Sequence, residues 1–450
     1  MTRHSSSWAA LRNPAFRRLW MAAVISGTCV VAHDTAAIWL MSILTASPLL
    51  LSLMSTVAAL SFFLFTLPAG ALADRVDRRA VVCFTNLFMA SMALALALLG
   101  WARLLNPNLI LVCIFLVGVG VALHAPAWTS IVRQVVSDAE LPSAAILGSL
   151  QLSIAGIVGP ALGGLLVPLA GANSVFAMNA ACFLLVVAAI LQWRPPPRSS
   201  KPSAESFLES LRTIIRYARN APEFQVVLAR NFLFALFISV IPALMPIVGL
   251  RILQLSSSDL GLMFTCLGTG SVIAAVFIVP RLRPRFSPDG LTLHANLLLV
   301  LVYLLTAFVH QKETFFLVAG LAGIGWTISA SELWVATQRM MPGWARGRMN
   351  ATVIMISQGA MGIGGLVSGL AGAIAGPRCT LLGAAVLFLA SLILVRRLSI
   401  NFTGNLDEKA ASGSSSHAEP EGTPIARAPD ICSQVSPRHS VSSCRDRQFR

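Results

Sequence analysis

The sequence predicts an all-α polytopic membrane protein of twelve transmembrane helices, arranged as two six-helix bundles related by pseudo-two-fold symmetry. Three observations carry that expectation. Hydrophobic residues make up 56% of the 450 residues and charged residues only 11%, against about 25% charged in soluble domains. So few charges cannot cover a surface that faces water, whereas a bilayer accepts apolar groups outside as well as inside. Apolar runs then recur at the ~20-residue length that a spanning helix needs. Finally, the basic residues sit in short clusters between those runs.

The runs fall at about 16–44, 49–72, 80–101, 109–131, 143–169 and 172–192, and again at about 224–250, 257–280, 290–310, 314–338, 348–375 and 378–397. Mean hydropathy is +0.77. Loop arginines and lysines orient the runs, because cytoplasmic loops are enriched in them. With the N-terminus placed inside, 23 of the 33 basic residues fall on the cytoplasmic side. Four fall outside (Arg103, Arg251, Lys312 and Arg378), and six lie in the tail. Both termini and the central loop are therefore expected in the cytoplasm, with the protein in the cell inner (plasma) membrane. A missed span would scramble this alternation.

Four segments follow: an N-terminal bundle at 1–192, a cytoplasmic linker at 193–222, a C-terminal bundle at 223–400 and a disordered tail at 401–450. Trp193-Arg-Pro-Pro-Pro-Arg198 stops the sixth span. Glu205 to Asn220 then reads as a basic amphipathic helix along the membrane surface. Ser, Pro, Gly and charge dominate the tail, which cannot bury enough apolar surface to fold. The two halves echo each other. Arg75, Arg78 and Arg79 follow the second span as Arg281, Arg283 and Arg285 follow the eighth, and both the fifth and eleventh spans are rich in glycine. Parallel six-helix repeats mark one large class of transporters.

The net charge of +15 does not point to nucleic acid, since the basic residues form no single solvated face. Eight cysteines without a C-x-x-C pair argue against a disulfide framework and against a zinc site. No metal and no cofactor is expected. The first apolar run is a full span rather than a cleavable signal peptide. Lys201, Lys312 and Lys409 follow Ser, Gln and Glu, so no P-loop is present to make the chain a primary pump. No H-E-x-x-H or G-x-S-x-G motif suggests an enzyme.

The strongest local motif is Gly70-Ala-Leu-Ala-Asp74-Arg75-Val-Asp77-Arg78-Arg79. It resembles the loop signature of the major facilitator superfamily and lies after the second span, where that family places it. A small residue at Gly70 permits close helix approach. Asp74 suits the N-terminus of a neighbouring helix; the resemblance suggests the eleventh span. Arg75, Arg78 and Arg79 can pair with Asp74 and with lipid phosphates, so the cluster is expected to act in gating. Asp77 stands where the pattern has Gly. Other stretches are similar to the transmembrane secretion effector branch, which includes the enterobactin exporter. They are Ala125-Pro126-Ala-Trp128, Glu140-Leu-Pro-Ser-Ala144, Gly159-Pro160-Ala-Leu-Gly163-Gly164, Phe176-Ala-Met-Asn179 and Pro342-Gly-Trp-Ala-Arg346-Gly-Arg348-Met-Asn350. The resemblance covers about 10–400 and implies the major facilitator fold. It also implies efflux, coupled to protons, of a siderophore, drug or secondary metabolite by alternating access. Ile114–Gly118 departs from the family in having no fourth-span Arg for proton coupling. An importer of the same fold, or a membrane scaffold that transports nothing, remains open at this point. A monomer is expected.

Charges within a span cost a few kcal/mol on insertion scales, so each needs a reason. Asp34, beside His33 in the first span, is the leading candidate to carry a proton. Glu332 in the tenth span could bind a cationic group or a proton, or pair with Arg339, Arg346 or Arg348. His124 is either a packed histidine or a relay. Arg230 is expected to snorkel to the interface. Trp39, Trp128, Trp326 and Trp334 either line a cavity or pack. Gly159 and Gly163, and Gly365 and Gly369, are four apart, which puts each pair on one helix face and allows close packing.

Overall fold

The computed structural model describes residues 8–193, 221–341 and 346–396. Among them every regular element is helical. The first six spans are Pro14–Leu44, Pro48–Arg75, Arg78–Trp101, Pro107–Val135, Leu141–Ala170 and Ala172–Leu191. The next four are Phe224–Ile252, Ser257–Leu282, Pro288–Phe308 and Lys312–Arg339. A last helical run, Arg346–Arg396, has 51 residues. At 1.5 Å per residue it would measure roughly 76 Å, more than twice the hydrocarbon core. It breaks at Gly376, where φ is 82° and ψ is 156°. Pro377 follows, pre-set for the first turn of a helix. The run is therefore two spans, 346–375 and 377–396, which makes twelve among the described residues.

Gly171, between the fifth and sixth spans, has φ 81° and ψ 157°. Those are nearly the angles of Gly376 at the same place in the second half. A left-handed φ costs glycine nothing sterically, and it lets each pair of spans reverse without a loop. The two corners repeat the same geometry, as parallel six-helix repeats require.

Helix starts follow ordinary chemistry. Asn13 accepts from the backbone N–H of Ala15 and Phe16, and Asn106 from that of Leu109. Ser256 and Asp259 form a reciprocal capping box. Two spans are irregular. The seventh is interrupted at Ser239 and ends in a π-helical turn, Val248–Ile252. The eighth widens into a π segment at Ala274–Ile278, just before Pro280. Proline supplies no N–H one turn on, so the local ladder re-forms around it.

The lipid-facing surface is apolar: Phe84 is 67% exposed, Leu169 73% and Ile374 87%. One end of the bundle bears the loops of the basic clusters, at Val76–Asp77 and after Leu282; we call it the arginine-rich face, and the other end the opposite face.

The two halves meet along two seams, the second span on the eleventh and the fifth on the eighth. Both seams are closely packed from mid-span to the opposite face. A Cβ at Gly365 would lie 2.7 Å from Thr56 Oγ1, and one at Gly369 would overlap Ser52. On the other seam, a Cβ at Gly164 would lie 2.9 Å from Gly261 Cα. Ser258 donates to Gly164 O at 3.2 Å, and Thr265 to Ile157 O at 3.1 Å.

Arg230 lies near the arginine-rich end of the seventh span. It is 8% exposed and ion-paired with Asp289 at the start of the ninth span. The carboxylate at the first turn of the ninth span satisfies the guanidinium, which is buried in an ion pair. The linker helix at Glu205–Asn220 and the tail from 401 lie outside the described residues.

Candidate functional site

A cavity of about 720 Å³ lies between the halves. Spans one, two, four and five line it from one side, and spans seven, eight and ten from the other. It opens toward the arginine-rich face. Leu152, 71% exposed, lines its mouth, whereas Leu51 (5%) and Ala243 (1%) close its far end. Pro242 and Pro246 of the interrupted seventh span also form part of the wall, as irregular backbone in a membrane does when it borders a cavity.

Asp34 is the one charged side chain lining this cavity among the described residues. It stands ten residues before the end of the first span, about 15 Å from the opposite end at helical rise. Its side chain faces open space rather than packing. The polar remainder is hydroxyl: Thr35, Ser55, Ser153, Ser271 and Thr327. Phe264 is the aromatic residue in the wall; Trp39, Trp128, Trp326 and Trp334 are not part of it.

The other candidate residues lie elsewhere. His33 is 1% exposed and packs on Phe176 of the sixth span, ring centroids 4.6 Å apart. Neither of its nitrogens has a hydrogen-bond partner, and Asn179, one turn beyond Phe176, is likewise unpartnered. His124 Nδ1 accepts from Asn86 at 3.1 Å, and its ring stacks on Trp128. Glu332 is 2% exposed and accepts from Arg283 Nε at 3.0 Å and Nη2 at 2.7 Å. The pair joins the end of the eighth span to the tenth, away from the cavity. Arg283 was not among the expected partners, because 49 residues separate the two in sequence.

At the arginine-rich loop, Asp77 accepts from Arg79 N at 3.2 Å and caps the third span. The acidic residue in place of Gly thus does the work of an N-cap. Arg79 Nη2 donates to Leu191 O, at the end of the sixth span, at 2.7 Å, and Arg78 Nε is buried without a partner. Among the described residues, a Cβ at Gly70 would meet nothing within 4 Å. The close approach expected there is not made, because this end of the bundle is open. Side chains of Asp74, Arg75, Arg346 and Arg348 lie outside the described set.

Gly159 and Gly163 pack on the first span, against Val31 and Ala32, within their own half. Gly164, with the carbonyl of Pro160, instead meets Gly261 across the seam. The sequence reading missed Gly261, Gly268 and Arg251. Arg251, at the end of the seventh span, donates to Ser42 O at 2.9 Å and also to Thr45 O. Those carbonyls close the first span, so a cation of one half caps a helix C-terminus of the other.

Two helical halves around a central cavity, sealed on one face and open on the other, define a membrane transporter rather than an enzyme. The transmembrane secretion effector family model matches residues 5–423, and the chain belongs to that family, within the major facilitator superfamily. Macrolide efflux protein A of Streptococcus pyogenes is 25% identical over 164 residues, 36% of this chain and 40% of that protein. A macrolide efflux protein A of Enterococcus faecalis is 26% identical over 126 residues, 28% of this chain and 39% of that protein. The chain thus spans about two fifths of the length of these curated relatives. Among solved structures, an inward-facing, occupied bacterial homologue of the human lysosomal transporter Spinster aligns with a TM-score of 0.69 at 13% identity, over 90% of this chain and 98% of that one. Nucleoside transporter NupG aligns with a TM-score of 0.69 at 12% identity, over 85% and 98%. These likenesses establish the fold.

Proposed function

We propose that this chain exports a small organic molecule from the cell by proton-coupled alternating access, as a monomer in the plasma membrane. The observation that carries the reading is the cavity between the halves, with Asp34 as its one charged lining group among the described residues. A carboxylate at membrane depth is costly unless it is neutralised or paired, so Asp34 is suited to take up and release a proton within the cycle. The efflux role of the curated relatives supports export.

Charge asymmetry in the loops supports an arginine-rich face in the cytoplasm, with both termini there. The cavity then faces inward, ready to load. On the same reading 1–192 and 223–400 are the rocking bundles, 193–222 joins them and 401–450 trails in the cytoplasm. Closing the cytoplasmic side brings Gly70, Asp74, Arg75, Asp77, Arg78 and Arg79 toward the eleventh span, near Arg346 and Arg348. Glu332, held by Arg283, is structural in this scheme, and so are His33 and His124, packed away from the cavity.

The test is efflux from liposomes holding the purified full chain, driven by an imposed pH gradient. The wild type should move a cationic drug against its gradient, and Asp34→Asn should abolish proton-driven movement while leaving the fold intact by circular dichroism. Equal proton-driven flux in wild type and Asp34→Asn would remove Asp34 from the mechanism.

A further inference from the structure

The chemistry of the cavity wall limits what can occupy it. Thr35 donates its hydroxyl hydrogen to Val31 O at 3.0 Å, and Ser55 to Ser52 O at 2.9 Å. Ser153 donates to Ser149 O at 3.1 Å, and Ser271 to Leu267 O at 3.0 Å. Four of the five lining hydroxyls therefore have their hydrogen bound to their own helix. What they turn to the cavity is oxygen lone pairs. Pro160, Pro242 and Pro246 line the wall as well, and each removes the helical donor from a carbonyl one turn back. No Lys, Arg, His, Asn, Gln, Trp or Tyr lines the cavity among the described residues. The wall thus offers one carboxylate, several neutral acceptors and almost no donors, set in apolar surface.

From this the geometry points to a substrate that is a cationic amphiphile: a protonated amine seated on Asp34, with an apolar body against Met54, Phe264 and Leu267. The inference deepens the export reading and rests on it for direction only. A carboxylate facing a cavity of apolar wall binds an ammonium by charge and hydrogen bond together. An anion in the same place would meet a like charge and bare acceptors, with nothing to replace its lost hydration. By the same argument the wall disfavours anionic chelators, catecholate siderophores among them. The volume, about 720 Å³, lies in the upper part of the ~300–1,000 Å³ range of sites for drug-sized molecules.

Three fluorescent probes sharing one dansyl-alkyl body test the assignment: one ends in a primary ammonium (dansylcadaverine), one in its neutral N-acetyl amide, one in a carboxylate. Binding to the detergent-purified full chain is read by fluorescence, with protein-free micelles as blank and no proton gradient. The ammonium probe should bind about tenfold tighter than the amide, the ratio expected of a charged hydrogen bond, and the carboxylate probe should bind weakest. Asp34→Asn should bring the ammonium probe down to the affinity of the amide, with circular dichroism and the thermal midpoint showing that the variant is folded. Wild-type discrimination alone tests the charge preference if that variant fails to fold. Equal affinity for all three probes, a preference for the carboxylate, or an ammonium preference that survives Asp34→Asn would overturn the assignment. Binding without a gradient keeps this separate from transport: ordered affinities with no proton-driven flux would defeat the export reading alone.

Discussion

At the opposite face one hydrophobic cluster runs through both halves, from Met41, Leu51 and Ile110 in the first to Leu250, Leu260 and Phe315 in the second. Toward the arginine-rich face the clusters stay apart. Leu19, Val82, Ile131 and Ile190 pack together in the first half, and Phe224, Met341, Met349 and Val353 in the second. The same helices thus form a sealed end and a divided end. What differs is the residue at the seam. Gly164, Gly261, Gly365 and Gly369 bring backbones close at the sealed end, where dispersion and packing hold helices together without a hydrophobic driving force from lipid. At the divided end the partners of Arg79 and Arg283 lie within their own halves. Among the described residues, polar links across the seams lie from mid-span to the sealed end and include Arg251. A seam made mostly of small contacts can part and re-form, which is what rocking of two bundles requires.

That contrast is open to attack from both ends. The largest effect is expected at Gly369. A leucine there would be driven into Ser52, the deepest overlap on that seam, and overpacking of this depth costs about 3 kcal/mol or more. Gly369→Leu should lower the thermal midpoint, and it should raise labelling, from the opposite face, of a cysteine placed in the first-to-second-span loop. Normal midpoint and unchanged labelling would mean that this seam does not seal the face. Arg251→Ala comes next. It frees two carbonyls of the first span and removes charge-assisted hydrogen bonds worth about 1.5–3 kcal/mol. Labelling from the opposite face should rise about tenfold with the fold retained, and Arg251→Lys should restore part of the seal. Gly70→Ala should have the smallest effect on stability. Its Cβ meets open space, so the midpoint should stay within about 0.5 kcal/mol of wild type. Transport turnover should still fall, since closing this end brings the second span against a neighbour. A large loss of stability would place Gly70 in a packed seam already.

Much of this architecture is legible in the sequence for a physical reason. A bilayer forces runs of ~20 apolar residues, and loop charge follows topology, so span number and alternation could be read directly. Asp34 stood out because a carboxylate in an apolar run is conspicuous. Which face of each helix meets the cavity was not readable. In lipid, outward and inward faces are both apolar, and the amphipathic stripe that orients a helix in a soluble protein is faint. Four tryptophans therefore looked like cavity candidates, whereas Phe264 and a set of serines form the wall. Long-range pairs were equally hidden. Nothing local in the sequence links Arg283 to Glu332, Arg230 to Asp289, or Arg251 to the end of the first span. Gly261 and Gly268 carried no spacing signal of their own, since their role depends on the fifth span facing them.

The central claim is that the sealed and divided ends exchange roles during transport. Electron–electron double resonance measures it most directly, with native cysteines replaced and spin labels in two pairs across the halves. One pair, at Leu44 and Gln254, reports the opposite face; the other, at Val76 and Phe286, reports the arginine-rich face. In the resting protein the first distance should be short and the second long. When the cycle is driven by substrate and a pH change, a second population should appear in which the first lengthens and the second shortens. Distances that stay fixed, or that lengthen and shorten together, would contradict alternating access in this protein.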